Sequence, residues 1–386
     1  MSQVASNRLL SLDVMRGITI AGMILVSNPG TWDYIYSPLG HSPWHHITPT
    51  DVVFPFFMFI MGVSVYISLR KFDFCLNRSL GWKILRRVLL IFLIGIGLIW
   101  FSVFCWKFAS LCAEGNTVWQ SLTGSFFCLH HIPLSGVLPR LAICYGVAAV
   151  VATVLKHKYI WWLIGGILLV YYIVLALGNG FELDRTNILS IVDYWVFGAY
   201  YMEDRILDAE GILSTFPAIA HVLIGFSCGK LMMENHDKRD KIVVLFIIGG
   251  VMTFSGLLLS YACPINKLIW SPTFVLTTCG FASTFLALLL WTIDIKGYKR
   301  WSFFFQVFGV NPLFLYVLSH VLAALLDNCS FVVGGEIKSI HYFIYMDLLQ
   351  PAFGNYLGSL VYALLFVGLN WCIGYCLYRK KIYIKI

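Results

Sequence analysis

Charged side chains are scarce in this sequence. Asp, Glu, Lys and Arg make up 12% of the 386 residues, about half the fraction found in soluble domains. Hydrophobic residues make up 59%, and the 30 Phe, 20 Tyr and 13 Trp need burial in protein or lipid. This composition excludes a water-soluble globule, a disordered chain, a collagen-like fibre and a disulfide scaffold. It predicts instead an all-α, polytopic membrane protein.

Apolar runs recur along the whole chain, at lengths close to the roughly 20 residues that cross a bilayer as a helix. No internal repeat or linker divides them, so residues 1–386 are predicted to form a single transmembrane domain. Asn311 and Pro312 are expected to break or kink the ninth span. The ten predicted spans are residues 12–29, 51–69, 84–104, 137–155, 159–177, 214–233, 242–262, 271–293, 302–326 and 357–378.

The basic residues fall mainly on one side of these spans. When successive connections alternate between two sides, 21 of the 27 Lys and Arg lie on one side and six on the other. Lys and Arg are retained in the cytoplasm during insertion, so both termini are predicted to be cytoplasmic. The net charge of +8 then reflects topology, and no nucleic-acid partner is expected. The outer six are Lys107, Arg140, Arg185, Arg205, Lys267 and Lys338.

Polar residues are densest in the first outer loop and the start of the second span. His41, His45, His46 and Asp51 fall within eleven residues there, in a segment bent by prolines. A histidine titrates near neutrality, and a nearby carboxylate would fix its tautomer. Three interpretations stay open for the cluster: acid–base or nucleophilic catalysis, a zinc site, and plain interfacial hydrogen bonding. The eleven cysteines show no metal-ligand spacing, and no metal is expected.

Several motifs, in order over nearly the whole chain, resemble the heparan-alpha-glucosaminide N-acetyltransferase family. The resemblance implies an enzyme that moves acetyl from cytosolic acetyl-CoA, its co-substrate, to the amine of a non-reducing glucosamine across the membrane. It further implies a short bacterial relative of larger members, located in the inner membrane. The matching segments are residues 11–17, 28–30, 41–59, 136–141, 211–215, 264–267, 270–272 and 309–312.

The resemblance also implies roles for individual residues. The essential histidine of the family falls on His41 by its spacing to Asp51, and it would act as base or as acyl-carrying nucleophile. Asp51 would orient that ring, and Asn28 or Ser27 would stabilise the oxyanion. The family's asparagine falls on Ser27, and its usual glycine after the second histidine is His46 here. The residues expected to hold the sugar or the thioester are Ser27, His45, Arg140, Asn266 and Lys267.

Basic residues at the cytoplasmic ends of spans are candidates for binding the acetyl-CoA head group. Arg16, Lys83, Arg86 and Arg87 are proposed for this role because arginine forks match phosphate oxygens. The same residues also suit topology anchors. Asp13 and Arg16 lie three apart on one helical face and are expected to pair.

Two other function classes remain open. A secondary transporter for amino sugars would also have about ten spans with Asn and Pro breaks, but it would usually show inverted halves, which this sequence lacks. A membrane O-acyltransferase acting on surface glycans would differ in attacking a hydroxyl. The expected partners are acetyl-CoA, an amino-sugar acceptor and the lipid bilayer, and a homodimer stays open.

Overall fold

The computed structural model describes residues 9–126, 135–198, 206–234 and 237–384. The protein is 75% helical, which confirms the all-α prediction. Its described strands form one antiparallel hairpin, β1 (Ser330–Val333) and β2 (Glu336–Ser339). The helices are α1 (Leu10–Ser27), α2 (Pro49–Arg70), α3 (Arg78–Ala113), α4 (Val118–Phe126), α5 (Val137–Val154), α6 (Ile160–Leu177), α7 (Ile188–Phe197), α8 (Ile212–Glu234), α9 (Lys238–Leu259), α10 (Pro272–Leu289), α11 (Phe303–Val310), α12 (Pro312–Asn328) and α13 (Asn355–Arg379).

The number of long apolar helices agrees with the predicted spans. Among the described residues, nine helices could cross a membrane by length and composition, or ten if the bent pair α11 and α12 is one span. The helices α1, α2, α5, α8 and α10 bury more than half of their apolar windows, whereas α3, α6, α9 and α13 bury a third or less. The first set therefore forms the core, and the second set presents apolar surface outward. The side of the membrane on which the termini lie stays a prediction. Arg205, one of the six basic residues predicted on the outer side, is outside the described residues.

The third helix is longer than its predicted span of residues 84–104. It runs for 36 residues, about 54 Å at the usual rise, and starts where the Asn77 side chain accepts a hydrogen bond from the Leu80 amide at 2.8 Å. Its last turns pack against α4 and α12. This extension was not predicted because apolar periodicity does not distinguish a helix that enters the bilayer from one that continues past it.

The ninth predicted span is broken. The axes of α11 and α12 differ by 87° at Asn311, whose backbone is not helical and whose successor, Pro312, cannot donate to the preceding turn. The Asn311 amide binds the end of the chain: Nδ2 donates to the Ile382 carbonyl and Oδ1 accepts from the Ile384 amide, both at 2.9 Å. The break thus supplies the anchor for the carboxyl-terminal tail.

Two helices of the core approach so closely that only glycine fits between them. A Cβ added at Gly309 of α11 would overlap the carbonyl of Asp13 on α1, and a Cβ at Gly17 of α1 would overlap the Phe305 carbonyl. Both obstacles are backbone, which cannot rotate away. Because Arg16 is next to Gly17, this crossing also fixes the depth of the Arg16 side chain.

We expect Gly309→Val to lower the thermal stability of the purified protein in detergent, because overpacking a tight contact costs about 1–3 kcal/mol. Gly97→Val is the matched control, since no atom lies within 4 Å of a Cβ at Gly97. Heating followed by size-exclusion chromatography measures the midpoint. Equal midpoints for the two variants would show that the α1–α11 contact is not close.

Candidate active site

The start of α2 holds a carboxylate in a fixed position. Pro49 in the first turn and the reciprocal capping of Thr48 and Asp51 set the entry of the chain into the helix. Asp51 is completely buried, and its Oδ2 accepts from the Thr48 amide at 3.1 Å, the Thr48 hydroxyl at 3.0 Å and the Ser42 amide at 3.2 Å. These donors leave Oδ1 directed toward His41.

The imidazole of His41 lies between Asp51 and Lys267. Its Nδ1 is 2.8 Å from Asp51 Oδ1 and 2.9 Å from Lys267 Nζ, and Nζ is 3.3 Å from the same carboxylate oxygen. A carboxylate only accepts and an ammonium only donates, so Nδ1 either carries a proton that it donates to Asp51 or is unprotonated and accepts from Lys267. In the tautomer that donates to Asp51, Lys267 pairs with Asp51 as well. The lone pair then lies on Nε2 of a side chain that is 49% exposed. We call His41, Asp51 and Lys267 the triad.

The environment of Lys267 brings in a residue that the sequence did not single out. Burial lowers the pKa of the Lys267 amine, although the carboxylates of Asp51 and Glu210 act in the opposite direction. Glu210, in the loop before α8, is therefore a second acidic group near the triad. Nothing in the sequence distinguishes it from the other acidic residues of the 178–213 loop, so only the fold reveals its position.

A set of buried donors lies behind the triad. Arg140 Nε and Nη1, Asn266 Nδ2 and Trp270 Nε1 are buried and have no hydrogen-bond partner among the described residues. The Arg140 guanidinium lies 5.1 Å from the Trp270 ring centre, and that ring is 5.6 Å from Phe54, one turn after Asp51. An unpartnered buried donor costs about 1–3 kcal/mol. These donors are therefore suited to an acceptor oxygen, and we call Arg140, Asn266 and Trp270 the donor cluster.

The position of Arg140 depends on the segment that begins at Gly211. Arg140 Nη2 donates to the Gly211 carbonyl at 3.2 Å and to the Ser214 hydroxyl. A Cβ at Gly211 would overlap the carboxylate of Asp193, whose Oδ1 accepts from the Ile212 amide at 3.0 Å. Burial raises the pKa of Asp193 to about 6. Two separate sequence motifs, residues 136–141 and 211–215, thus meet to hold one guanidinium.

The residues proposed for the oxyanion form no hydrogen bond with the triad within the described parts of the chain. Asn28 Nδ2 donates to the Ile24 carbonyl at 2.8 Å and closes the end of α1, while Ser27 is exposed. Their role at the oxyanion stays a prediction.

A cavity of about 380 Å³ opens among α1, α2, α3, α5 and α12, away from the triad. Its charged lining residues are Arg16 and Arg87. Arg16 donates to Ser64 at 2.9 Å and to Asp13 at 3.1 Å, so the expected Asp13–Arg16 pair is present. The Arg87 guanidinium lies 4.6 Å from the Tyr145 ring centre. We call this space the donor cavity, after the acyl donor proposed for it below, whereas the donor cluster is named for its hydrogen-bond donors.

Two of the four proposed phosphate ligands do not line the donor cavity. Lys83 and Arg86 are exposed, and Lys83 Nζ lies 4.6 Å from the Phe72 ring centre. Successive helical residues differ by about 100° in direction. Arg87 therefore points inward, whereas its neighbour Arg86 points outward, as a topology anchor would.

A family model described as "Heparan-alpha-glucosaminide N-acetyltransferase, catalytic" matches residues 8–257. The chain belongs to this family. It is 25% identical to the mouse protein named heparan-alpha-glucosaminide N-acetyltransferase, over 99% of this chain and 61% of the relative. It is 26% identical to the human protein of the same name, over 98% of this chain and 60% of the relative. The chain thus spans about three-fifths of the length of these relatives.

The backbone at His46 has the conformation that favours glycine, which is the residue that the family resemblance predicted at this position. His46 has φ of 86°, a conformation that glycine adopts without a steric cost. Its amide donates to the Ile265 carbonyl at 3.0 Å, joining the loop after α1 to the turn that carries Lys267. His45 has a buried, unpartnered Nδ1. Among the described residues, no group of three His, Cys, Asp or Glu could hold a metal ion.

Lys267→Met is expected to lower the thermal stability of the purified protein in detergent, because it removes a cation 3.3 Å from the buried Asp51 carboxylate and a lost partner of a buried acceptor costs about 1–3 kcal/mol. Lys267→Arg keeps the charge and should retain most of the stability. Heating followed by size-exclusion chromatography measures the midpoint. Equal midpoints for wild type and Lys267→Met would mean that Lys267 does not stabilise the Asp51 carboxylate.

Proposed function

We propose that this chain is a transmembrane acetyltransferase that moves acetyl from cytosolic acetyl-CoA to the amine of glucosamine or a terminal glucosaminide on the outer, periplasmic side. The observation that carries the proposal is the triad: Asp51 and Lys267 contact Nδ1 of His41, a half-exposed side chain whose Nε2 is left for a substrate. Membership of the acetyltransferase family supports the reaction class. The bacterial inner membrane and the amino-sugar acceptor are part of this proposal.

The donor cavity is the proposed site for acetyl-CoA. The phosphates would bind at Arg16 and Arg87, since a guanidinium pairs with phosphate oxygens through a planar fork. The apolar part of the lining includes Phe57, Leu138 and Leu141, which suits the uncharged pantetheine arm. Phe57 lies about 9 Å along α2 from Asp51, so a short gap separates the cavity from the triad.

The donor cluster lies in that gap. Arg140 is on α5 between Leu138 and Leu141, and Trp270 contacts Phe54 between Asp51 and Phe57. A thioester carbonyl passing from the cavity to His41 would accept hydrogen bonds there, and the charge that develops on its oxygen would be stabilised. We assign this role to Arg140, Asn266 and Trp270 rather than to Asn28 or Ser27.

At the triad, His41 has two roles open to it. As nucleophile, Nε2 would bond to the thioester carbon, the carbon–sulfur bond would break, and CoA would leave as thiolate before the acceptor amine takes the acetyl group. As base, Nε2 would take the proton of the amine while that amine bonds directly to the thioester carbon, and the carbon–sulfur bond would break to release CoA as thiolate. In both routes Asp51 stabilises the positive imidazole. Glu210 and His45 are proposed to hold the acceptor beside it.

His41→Ala is expected to reduce acetyl transfer at least about a hundredfold, the usual contribution of an acid–base group. Purified protein is incubated with labelled acetyl-CoA and glucosamine, and N-acetylglucosamine is quantified. His46→Gly is the matched control, since it removes a histidine of the same loop and leaves a residue suited to its backbone. An acetyl-histidine adduct found with acetyl-CoA alone would indicate the nucleophile route.

Other outcomes of this assay contradict the proposal. Equal product from wild type and His41→Ala would remove His41 from catalysis. Labelled glucosamine that enters vesicles without becoming acetylated would favour the transporter. An acetyl ester on a hydroxyl, with the amine unmodified, would favour the O-acyltransferase.

Arg87→Ala is expected to raise the KM for acetyl-CoA about tenfold or more, as for loss of a charged hydrogen bond, and to leave the KM for glucosamine unchanged. Arg86→Ala, one residue away on the outward face of the same helix, is the control. Steady-state kinetics with each substrate varied separately distinguish the two constants. Equal effects of the two variants would place the head group outside the donor cavity.

A further inference from the structure

A second cavity of about 360 Å³ lies beside the connection that carries His41. One wall is the loop that follows α1, with Asp33 and Tyr34, and the other is the segment that follows the hairpin, with His341, Tyr345 and Gln350. Its volume is within the range of small-ligand sites. We call it the loop cleft. Nothing in the triad, the donor cluster or the donor cavity involves these residues.

The loop cleft is held in shape by a charged histidine. His341 Nδ1 is bonded to a carboxylate oxygen of Asp327, and Nε2 lies 2.9 Å from the Gly30 carbonyl. Both partners are acceptors, so both nitrogens donate and the ring is an imidazolium. Burial is the largest single influence and lowers the pKa of His341, but the hydrogen bond and charge of Asp327 together with the Gly30 carbonyl outweigh it, and the pKa is raised. The ring also stacks on Tyr362 at 4.6 Å.

The charged side chains around the loop cleft form ion pairs with one another, except Asp33. Lys338 binds Asp347 at 2.8 Å and Glu336 at 3.5 Å, and Asp327 binds His341. Asp33 forms no ion pair with any basic group of the described residues, and its carboxylate accepts only from the Thr31 hydroxyl at 3.4 Å. The cleft therefore offers one uncompensated negative charge.

Aromatic rings stand next to that charge. Tyr34 and Tyr345 line the cleft together with Asp33, and Tyr34 is braced edge-on by Tyr356 at 5.5 Å between ring centres. Aromatic faces attract cations and pack against apolar ring faces. A carboxylate, tyrosine rings and the Gln350 amide together suit a ligand that is cationic, ring-shaped and rich in hydroxyls. An amino sugar in its ammonium form has these three properties.

We infer that the loop cleft binds an amino-sugar unit that precedes the acetylated one, so that the acceptor is an oligosaccharide engaged at two sites. This rests on the proposed function for the reaction at His41. Tyr34 and His41 belong to the same connection between the antiparallel helices α1 and α2 and are at most about 24 Å apart, the reach of seven extended residues. One short oligosaccharide can therefore occupy the cleft and the triad together.

The test compares glucosamine with its β-linked dimer and trimer as acceptors, using labelled acetyl-CoA. Wild type should show a lower KM for the trimer than for the monomer. Asp33→Asn and Tyr34→Ala should raise the trimer KM about tenfold, as for loss of one strong contact, and leave monomer kinetics within about twofold. Glu336→Gln, a carboxylate of the hairpin outside the cleft lining, is the matched control and should change neither constant.

The outcomes separate the two proposals. Equal effects on monomer and trimer, or no effect of Asp33→Asn on either, would overturn the loop cleft as a subsite. If wild type acetylates none of the acceptors, the proposed function fails, and calorimetry of the trimer then tests the cleft by itself. Trimer binding that Asp33→Asn weakens supports the subsite, whereas absent binding to wild type removes it. Weakening by Tyr34→Ala without any effect of Asp33→Asn would likewise overturn the cleft as a site for an ammonium.

Discussion

The candidate active site depends on one buried carboxylate at the start of α2. Asp51 accepts hydrogen bonds from Thr48 and Ser42 and faces both His41 and Lys267. A buried anion without such partners would cost several kcal/mol, so the loop must wrap around it. The helix amino terminus contributes a favourable dipole. His41 is consequently held by the local structure of residues 41–51, and Lys267 joins it from a distant part of the chain.

Local and distant parts of this arrangement were predictable to different degrees. The His41–Asp51 pair follows from a short spacing beside a capping position, and its contact at 2.8 Å is as expected. Lys267 was named through the family resemblance, but its pairing with Asp51 could not be, because the two residues meet only through packing of α2 against α10. Arg86 and Arg87 are adjacent residues of the same type, so the sequence alone does not tell which one faces the cavity. Only the packing of α3 against its neighbours shows that Arg87 faces inward and Arg86 outward. Asn28 was named through the family resemblance, and its side chain caps α1, a contact that the resemblance did not predict.

The core helices place the donor cavity and the donor cluster next to each other. The donor cavity ends at Phe57 and Leu138, and the donor cluster begins with Arg140 on the same helix as Leu138. A buried guanidinium is expensive in a membrane. Its cost is reduced by the Gly211 carbonyl, the Ser214 hydroxyl and the face of Trp270. These partners use Nη2 and the ring face, so Nε and Nη1, which have no hydrogen-bond partner within the described parts of the chain, suit the acceptor oxygen proposed for the thioester.

Charged side chains lie at each of the sites proposed for the two substrates. Arg16 and Arg87 line the cavity proposed for an anionic donor, while Glu210 and Asp33 lie near the sites proposed for a cationic acceptor. Under the proposed reaction, acetylation converts the ammonium of the acceptor into a neutral amide. The attraction to Glu210 then disappears at the moment the product forms, whereas the next glucosamine unit still carries its charge. Product release and acceptor binding would therefore both depend on the Glu210 carboxylate. This carboxylate would favour replacement of the neutral amide product by the next positively charged acceptor.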